Sequence, residues 1–600
     1  MGYLQPIISN IHAFANWESA PDPIEWFRDY GRTPVMVGRS VKVSDGANWV
    51  GSDTYPDTVS FIAENAPAGN QTLSAACAAY GEGFLGIGGK QYYCDGAMLS
   101  PAINNASSVG RKKLLVFGNS LALQNMTTLL QGSNFSTISA DARRGATSFN
   151  VANAGTAAIG NKVAIQLCFG GVFYSTITNV VSNTITIADK LPAAVKSAIS
   201  CVVHWYTTDG VDDWVYQQNG PVYMACSMLG MPVDVIHGYG YGGALAQMML
   251  TDLERVLRLT RPDYVVFNLT ENDIGSPVET TVAAEVARLT RLIYLACELS
   301  IASGATPIFL SNFPSGGVNT ANEAAIWDAM KLVQINIGNV YPQAVGIDTS
   351  TLWLDTTTAT TRPAIASWVS EGIHPVIMKR AVIGKLIKNA LGAVIGSATS
   401  FKNRALQYVD MSGSGGSGIG GGFVSGGVVS TGITLAAYAN LTTTATKTPD
   451  DKQQIQFVNA AATTYGTHYV SLTTGTLPAS ETALGGQWIK GVATMKINTA
   501  ANVNRAFLTL KFSPSNQQHL ALKLNGGATG GWLSEDNYFD GETFVIETGS
   551  VQIPNDATGY TLELRIETDT QATVGAVVGD FIVSEMGIVP GTVDIASQLV

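Results

Sequence analysis

A chain of 600 residues exceeds what one hydrophobic core holds, so about three or more domains are expected. The net charge of −11 leaves no basic surplus to replace phosphate counterions, which excludes duplex nucleic acid as a natural partner but leaves neutral glycans open. Charged residues are only 13% of the chain while Gly, Ala, Ser and Thr abound, a mixture that fits β-rich extracellular or virion-type architecture.

Residues 1–110 mix short strand-like pieces with many glycines, and Trp17, Trp26, Phe27 and Tyr30 lie near Pro21 and Pro23. A β-rich or irregular N-terminal segment is expected, its aromatics serving either as core or as a sugar platform. The start, Met1 to Ile8, has neither the basic stretch nor the long apolar stretch of a secretory signal, so export by another route or a native start further upstream is expected.

An apolar run, Lys113-Leu114-Leu115-Val116-Phe117, stops at Gly118-Asn119-Ser120 and gives way to a helical pattern over about 121–130. This reads as a buried parallel strand, a tight turn and a helix start. Gly118 lets the backbone turn without a Cβ, and Asn119 or Ser120 can cap the first amides of the helix. Such a turn presents Ser120 as a nucleophile, although a lone Gly-Asn-Ser is also an ordinary turn. Over 134–206 the pattern becomes apolar/polar alternation, as in Val163 to Leu167, Val172 to Ile177 and Asn183 to Ile187, with Gly and Asn between. This predicts an inserted small β-domain, which either helps hold an extended substrate or is purely structural.

Helix–strand alternation resumes near Asp213. A strand ending at Ile236 leads into the Gly-rich stretch His237-Gly238-Tyr239-Gly240-Tyr241-Gly242-Gly243, followed by a helix carrying Leu245, Met249, Leu253, Val256 and Leu257 at helical spacing. The strand Tyr264 to Asn268 ends at Thr270-Glu271-Asn272-Asp273. Helices are predicted over about 281–303, 321–337 and 375–391, with strands at 306–310 and 344–348. Strands alternating with helices predict a doubly wound, mostly parallel sheet whose loops gather at one carboxyl edge. Residues 397–428 read as a Gly/Ser-rich linker, and 429–600 as evenly spaced strands of a β-sandwich or jelly roll, with Trp488, Trp532 and Tyr538 available for stacking on sugars.

No run approaches the roughly 20 apolar residues that span a bilayer, so no membrane insertion is expected. The cysteines Cys77, Cys94, Cys168, Cys201, Cys226 and Cys297 form no Cys-x-x-Cys pair and the histidines show no metal spacing. No metal site or cofactor is expected. Free thiols are, although Cys168 and Cys201 lie in the same inserted region and can pair if oxidised.

In order along the chain, Gly118-Asn119-Ser120, the glycines around Gly240, Thr270-Glu271-Asn272-Asp273 and Glu371-Gly372-Ile373-His374 resemble the four blocks of the SGNH (GDSL-like) hydrolase family. Those blocks are a Gly-Asp-Ser nucleophile, a glycine, a Gly-x-Asn-Asp loop and an Asp-x-x-His pair. The resemblance covers about 111–396, interrupted at 134–206. Asn119, Thr270 and Glu371 depart from the family pattern, yet Asn caps a turn as Asp does and Glu can orient an imidazole with one more methylene.

The resemblance implies a three-layer α/β fold and a metal-free serine esterase: Ser120 as nucleophile, His374 as base, Glu371 as orienting acid, and the amides of Ser120 and Gly240 with the Asn272 side chain as oxyanion hole. Asp348, at the end of the preceding strand, is the alternative acid. Taken alone, His374 could instead cap a helix before Pro375, and the stretch around Gly240 could be a flexible turn. With its flanking β-modules the chain also resembles bacteriophage tailspike esterases. That implies O-deacetylation of a bacterial surface polysaccharide, a homotrimer, other phage tail proteins as partners, and a virion or extracellular location. A secreted bacterial carbohydrate acetylesterase and a non-catalytic receptor-binding spike are the competing readings. With assembly assigned to the strands after the linker, a chain lacking 423–600 is expected to be a smaller, monomeric esterase that folds, still cleaves a soluble small ester and binds polymer poorly.

Overall fold

The computed structural model describes residues 111–591 apart from short internal segments, the longest being 420–432, 460–468 and 475–487, and before residue 111 only the backbone of seven short strands. Those strands form two small sheets, Ala13–Phe14 to Trp49–Gly51 in one and Glu82–Ile87 to Leu99–Pro101 in the other. The aromatic cluster around Trp17 and Trp26 lies outside the described residues.

The central sheet is built from β1 (Lys112–Gly118), β2 (Val233–Gly240), β3 (Tyr264–Asn268), β4 (Thr306–Leu310) and β5 (Val345–Ile347). Its order is β2-β1-β3-β4-β5 and every pairing is parallel. Such strands are covered on both faces, which is why β1 is a continuous apolar run. Leu114 and Val116 enter one core while Leu115 and Phe117 enter the other. The helices are α1 (Ser120–Leu123), α2 (Pro221–Met228), α3 (Ala246–Thr260), α4 (Glu271–Gly275), α5 (Val282–Ala302), α6 (Ala321–Ile335) and α7 (Ile377–Ile395).

Helices α2 and α7 cover the first face; α3, α5 and α6 cover the second. In α3 the spaced residues Met249, Leu253, Val256 and Leu257 are buried as their spacing requires, each burial being worth roughly 1.5–3 kcal/mol. Helix α6 starts with a capping box in which Thr320 and Glu323 bond each other's backbone amides. Helices α2 and α7 approach so closely that a Cβ on Gly384 would stand 2.7 Å from the Cβ of Met224.

Three expectations change at this level. The helix predicted over 121–130 ends at Leu123, and Thr127–Leu130 is a strand paired antiparallel with Trp214–Gln217. The β-branched pair Thr127 and Thr128 suits that strand better than a helix interior. Strand β2 continues through Gly240, with a register shift between Ile236 and Tyr239. And Gln407–Asp410, inside the stretch read as linker, pairs antiparallel with a strand near the end of the chain.

The alternating strands of 134–206 form as predicted, Lys162–Gln166 pairing antiparallel with Val172–Val181 and with Val202–Tyr206. They do not stand alone. Val172 pairs in parallel with Val551, making them part of the same thirteen-stranded sheet as β6 (Trp488–Ala501), β7 (Thr543–Glu547) and β8 (Val577–Pro590). Cys201 is buried, and Cys168 lies outside the described residues. A six-stranded sheet that includes Val503–Ser513 and Gly559–Thr568 shares a core with these strands and with α2 and α7. Trp532 belongs to that core, 2% exposed and donating its indole N–H to the Ala506 carbonyl at 2.9 Å. It is therefore no sugar platform.

The residues after the linker are locked to the α/β part. Arg111, just before β1, stands 3.2 Å from Asp234 of β2 and 3.0 Å from Glu547 of β7. Lys490 of β6 lies 3.5 Å from each of the same two carboxylates. From α2, the Tyr223 hydroxyl donates to the Glu547 carbonyl at 2.8 Å and the Ser227 hydroxyl to the Val545 carbonyl at 2.7 Å. On α7, Lys388 pairs with Glu542 at 2.5 Å. This packing runs against the expectation that residues before 423 fold alone. Removing 423–600 takes Glu547 and Lys490 out of this cluster and leaves Arg111 and Asp234 paired only with each other.

Candidate active site

In a sheet ordered 2-1-3-4-5 the chain reverses direction of growth between the first and third strands, opening a crevice at their carboxyl ends. Strand β1 ends there at Gly118, whose φ of +153° favours glycine. A Cβ on it would stand 1.9 Å from the carbonyl oxygen of Asn268, the last residue of β3. The Asn119 N–H donates to that same carbonyl at 3.0 Å. The Asn119 side chain is fully buried; its Oδ1 accepts from the Leu121 N–H at 2.9 Å, which caps the start of α1. Ser120 is thus held at the head of α1 by contacts on both sides of the crevice.

The Ser120 hydroxyl lies 2.9 Å from His374 Nε2, although 254 residues separate the two. The histidine sits in a two-residue strand, His374–Pro375, paired antiparallel with Val369–Ser370. Two further contacts fix this piece: the Val376 N–H donates to the Trp368 carbonyl at 2.9 Å, and buried Arg380 donates to the Pro375 carbonyl at 3.0 Å. His374 is thereby a strand residue that meets Ser120, and not a helix cap.

Glu371 lies outside the described residues. Asp348, the alternative acid, is engaged elsewhere: Ser311 and Ser350 donate to its Oδ1, and Lys331 stands 3.0 Å from its Oδ2.

Gly240 is paired with Gly118 at the edge of the sheet, which brings its backbone to the crevice. Asn272, on α4 directly after β3, donates from Nδ2 to the Ala244 carbonyl at 2.9 Å. Its neighbour Asp273 is structural. Fully buried, it accepts from the Ala246 N–H at the head of α3 (2.8 Å) and from Arg288 (2.7 Å), and burial pushes its carboxyl above the usual range. Thr270, where the family pattern has glycine, donates its hydroxyl to Asn312 Oδ1 at 2.6 Å and receives Gln334 at 3.1 Å. That buried triangle supports the loop from below.

Sequence reasoning passed over Glu271 as a spacer in Thr-Glu-Asn-Asp. Asn119 Nδ2 donates to its Oε2 at 2.6 Å, and burial pushes its carboxyl above the usual range. The buried Glu271 carboxyl also faces the Asn268 side chain and the Phe313 backbone. A signal was present: an amide at 119 where the family has a carboxylate, and a carboxylate at 271.

No family model and no curated protein sequence matches the chain. Among solved structures it is similar to a GDSL-like lipase from Bacteroides thetaiotaomicron, at 14% identity over 30% of this chain and 86% of that one, with a TM-score of 0.23. It is similar to a carbohydrate acetylesterase from Sinorhizobium meliloti at 11% identity, over 47% of this chain and all (100%) of that one, with a TM-score of 0.25. It is also similar to a carbohydrate esterase of family 3 from Talaromyces cellulolyticus, at 16% identity over 28% and 73%, with a TM-score of 0.21. At such values the functional assignment rests on the site and not on these likenesses.

Proposed function

We propose that the protein is a serine ester hydrolase that removes O-acetyl groups from a bacterial surface polysaccharide. The observation that carries this reading is the 2.9 Å contact of Ser120 Oγ with His374 Nε2 at the switch point of a parallel sheet. Ser120 Oγ bonds to the acetyl carbonyl carbon as its proton passes to His374 Nε2. The tetrahedral intermediate then expels the sugar oxygen, which takes that proton. Water, deprotonated by His374, attacks the acetyl-serine and frees acetate and Ser120. The backbone amides of Ser120 and Gly240 and the Asn272 side chain receive the oxyanion, each such donor being worth about 2.7–4 kcal/mol of barrier. Glu371 holds the imidazole tautomer and balances its charge.

The polysaccharide substrate is favoured by the weakly charged, Gly/Thr-rich β-architecture attached to the hydrolase part. We read 134–206 as an inserted β-domain and 429–600 as a β-sandwich that together display the site on a phage tailspike, a homotrimer in the virion or outside the cell. Trimeric display raises avidity for a repeating polymer without new contacts. A non-catalytic spike has no need of a serine and histidine in hydrogen-bond contact.

The decisive experiment incubates the full chain with acetylated surface polysaccharides and measures released acetate, with light scattering for the assembly state. Release that disappears in Ser120→Ala, with folding intact, is the expected result. Equal release by Ser120→Ala would overturn the esterase reading, and a monomer would overturn the trimer.

A further inference from the structure

We infer that Glu271 is a positioning residue for the nucleophile, holding Asn119 and through it the turn that presents Ser120 against the loop carrying Asn272. The inference rests on the esterase reading above.

The side chain of Asn119 is oriented from both ends. Its oxygen accepts from the Leu121 N–H at 2.9 Å, so its NH2 group must face Glu271 Oε2, and does so at 2.6 Å. An amide serves both partners at once, whereas an ionised carboxylate at 119 has no hydrogen to give Glu271. An aspartate at 119 would place two carboxylates in contact in a buried site, where one must take up a proton or both must move apart. The departure of Asn119 from the family pattern is therefore complementary to Glu271.

This hydrogen bond also has a mechanical consequence. Asn119 precedes the nucleophile, and Glu271 precedes the oxyanion donor Asn272. The bond thus crosses the crevice between the ends of β1 and β3, parallel to the backbone bond from Asn119 N–H to the Asn268 carbonyl at 3.0 Å. Loss of the side-chain bond leaves the turn to the backbone pairing of Gly118 with Asn268 and Gly240 and to the Asn119 N–H bond, none of which orients the Asn119 side chain. A displacement of about 1 Å there costs on the order of 100-fold in rate. Glu271 acts through Asn119, and its effect belongs in kcat and not in KM.

The test is an exchange of the two groups in the full chain, with a small acetyl ester as substrate and circular dichroism to follow folding. Asn119→Asp is expected to lower kcat about 100-fold while KM stays within about threefold. Adding Glu271→Gln to it moves the carboxylate to the other side of the same hydrogen bond, and kcat is expected to recover at least about tenfold. A wild-type kcat for Asn119→Asp, or a double variant no faster than the single one, overturns the inference. Should Asn119→Asp not fold, Glu271→Gln, which keeps an acceptor, is compared with Glu271→Leu, which does not. The former is expected to be about tenfold faster, and equal rates overturn the inference. Turnover surviving in Ser120→Ala would instead sink the esterase reading, a result independent of these ratios.

Discussion

At the turn after β1 each residue is fixed by a different constraint. Gly118 is set by space, since a Cβ there has nowhere to go beside the Asn268 carbonyl. Asn119 is set by its two partners and Ser120 by the chemistry. The orienting acid is settled by a paired substitution. Asp348 is already held by Lys331, Ser311 and Ser350, so Asp348→Asn is expected to leave turnover within about threefold, whereas Glu371→Gln lowers it by roughly 100-fold or more by removing the imidazole's counter-charge. Steady-state kinetics on a small ester checks this, and the reverse order of effects would name Asp348 as the acid. The turn at Gly118 and the meeting of Ser120 with His374 were legible in the sequence because a tight turn and the proposed nucleophile and base each demand a residue type. Glu271 was not legible, because its role depends on which side chain stands 2.6 Å away, and that neighbour comes from another strand.

Among elements, the parallel strands were readable because burial on both faces forces continuous apolar runs, and the helices because their apolar stripes recur at helical spacing. The strand Thr127–Leu130 escaped because its partner, Trp214–Gln217, lies beyond the whole insert. Within the insert, His204 of the strand Val202–Tyr206 is buried, and burial lowers its pKa from 6.5 to about 4. The sign follows directly: the unfolded chain takes up a proton near 6.5 that the folded chain refuses until about 4. Stability is therefore fully present above 6.5 and is lost as pH falls toward 4, by about 3 kcal/mol in all. Urea unfolding at neutral pH and at acid pH measures that loss. In His204→Phe it is expected to shrink by most of this amount, and an unchanged loss would place the titration elsewhere.

For the whole molecule, the Gly/Ser-rich stretch suggested a hinge between separable parts because flexible composition marks a covalent boundary and says nothing about packing across it. The sheets on either side of α2 and α7 share one core, and the buried cluster of Arg111, Asp234, Lys490 and Glu547 straddles the join. A chain ending at residue 422 is therefore expected to be insoluble or unfolded, with no esterase activity, as judged by size exclusion and circular dichroism. A folded, active truncated chain would show that the shared core is dispensable. Glu547→Ala in the full chain is expected to lower stability by about 3–5 kcal/mol, because it leaves Arg111 and Lys490 with a single buried counter-charge.

That cluster also fixes a timetable. Arg111 leaves the ribosome 436 residues before Glu547, a delay of about 20 to 90 s at elongation rates of about 5–20 residues per second. Strand β1, which ends at Gly118, is made early, but its flanking cation Arg111 meets Glu547 only when nearly the whole chain has been released. During synthesis the turn at Ser120 therefore precedes the sheet that covers Arg111, and the shared core closes only with the last strands.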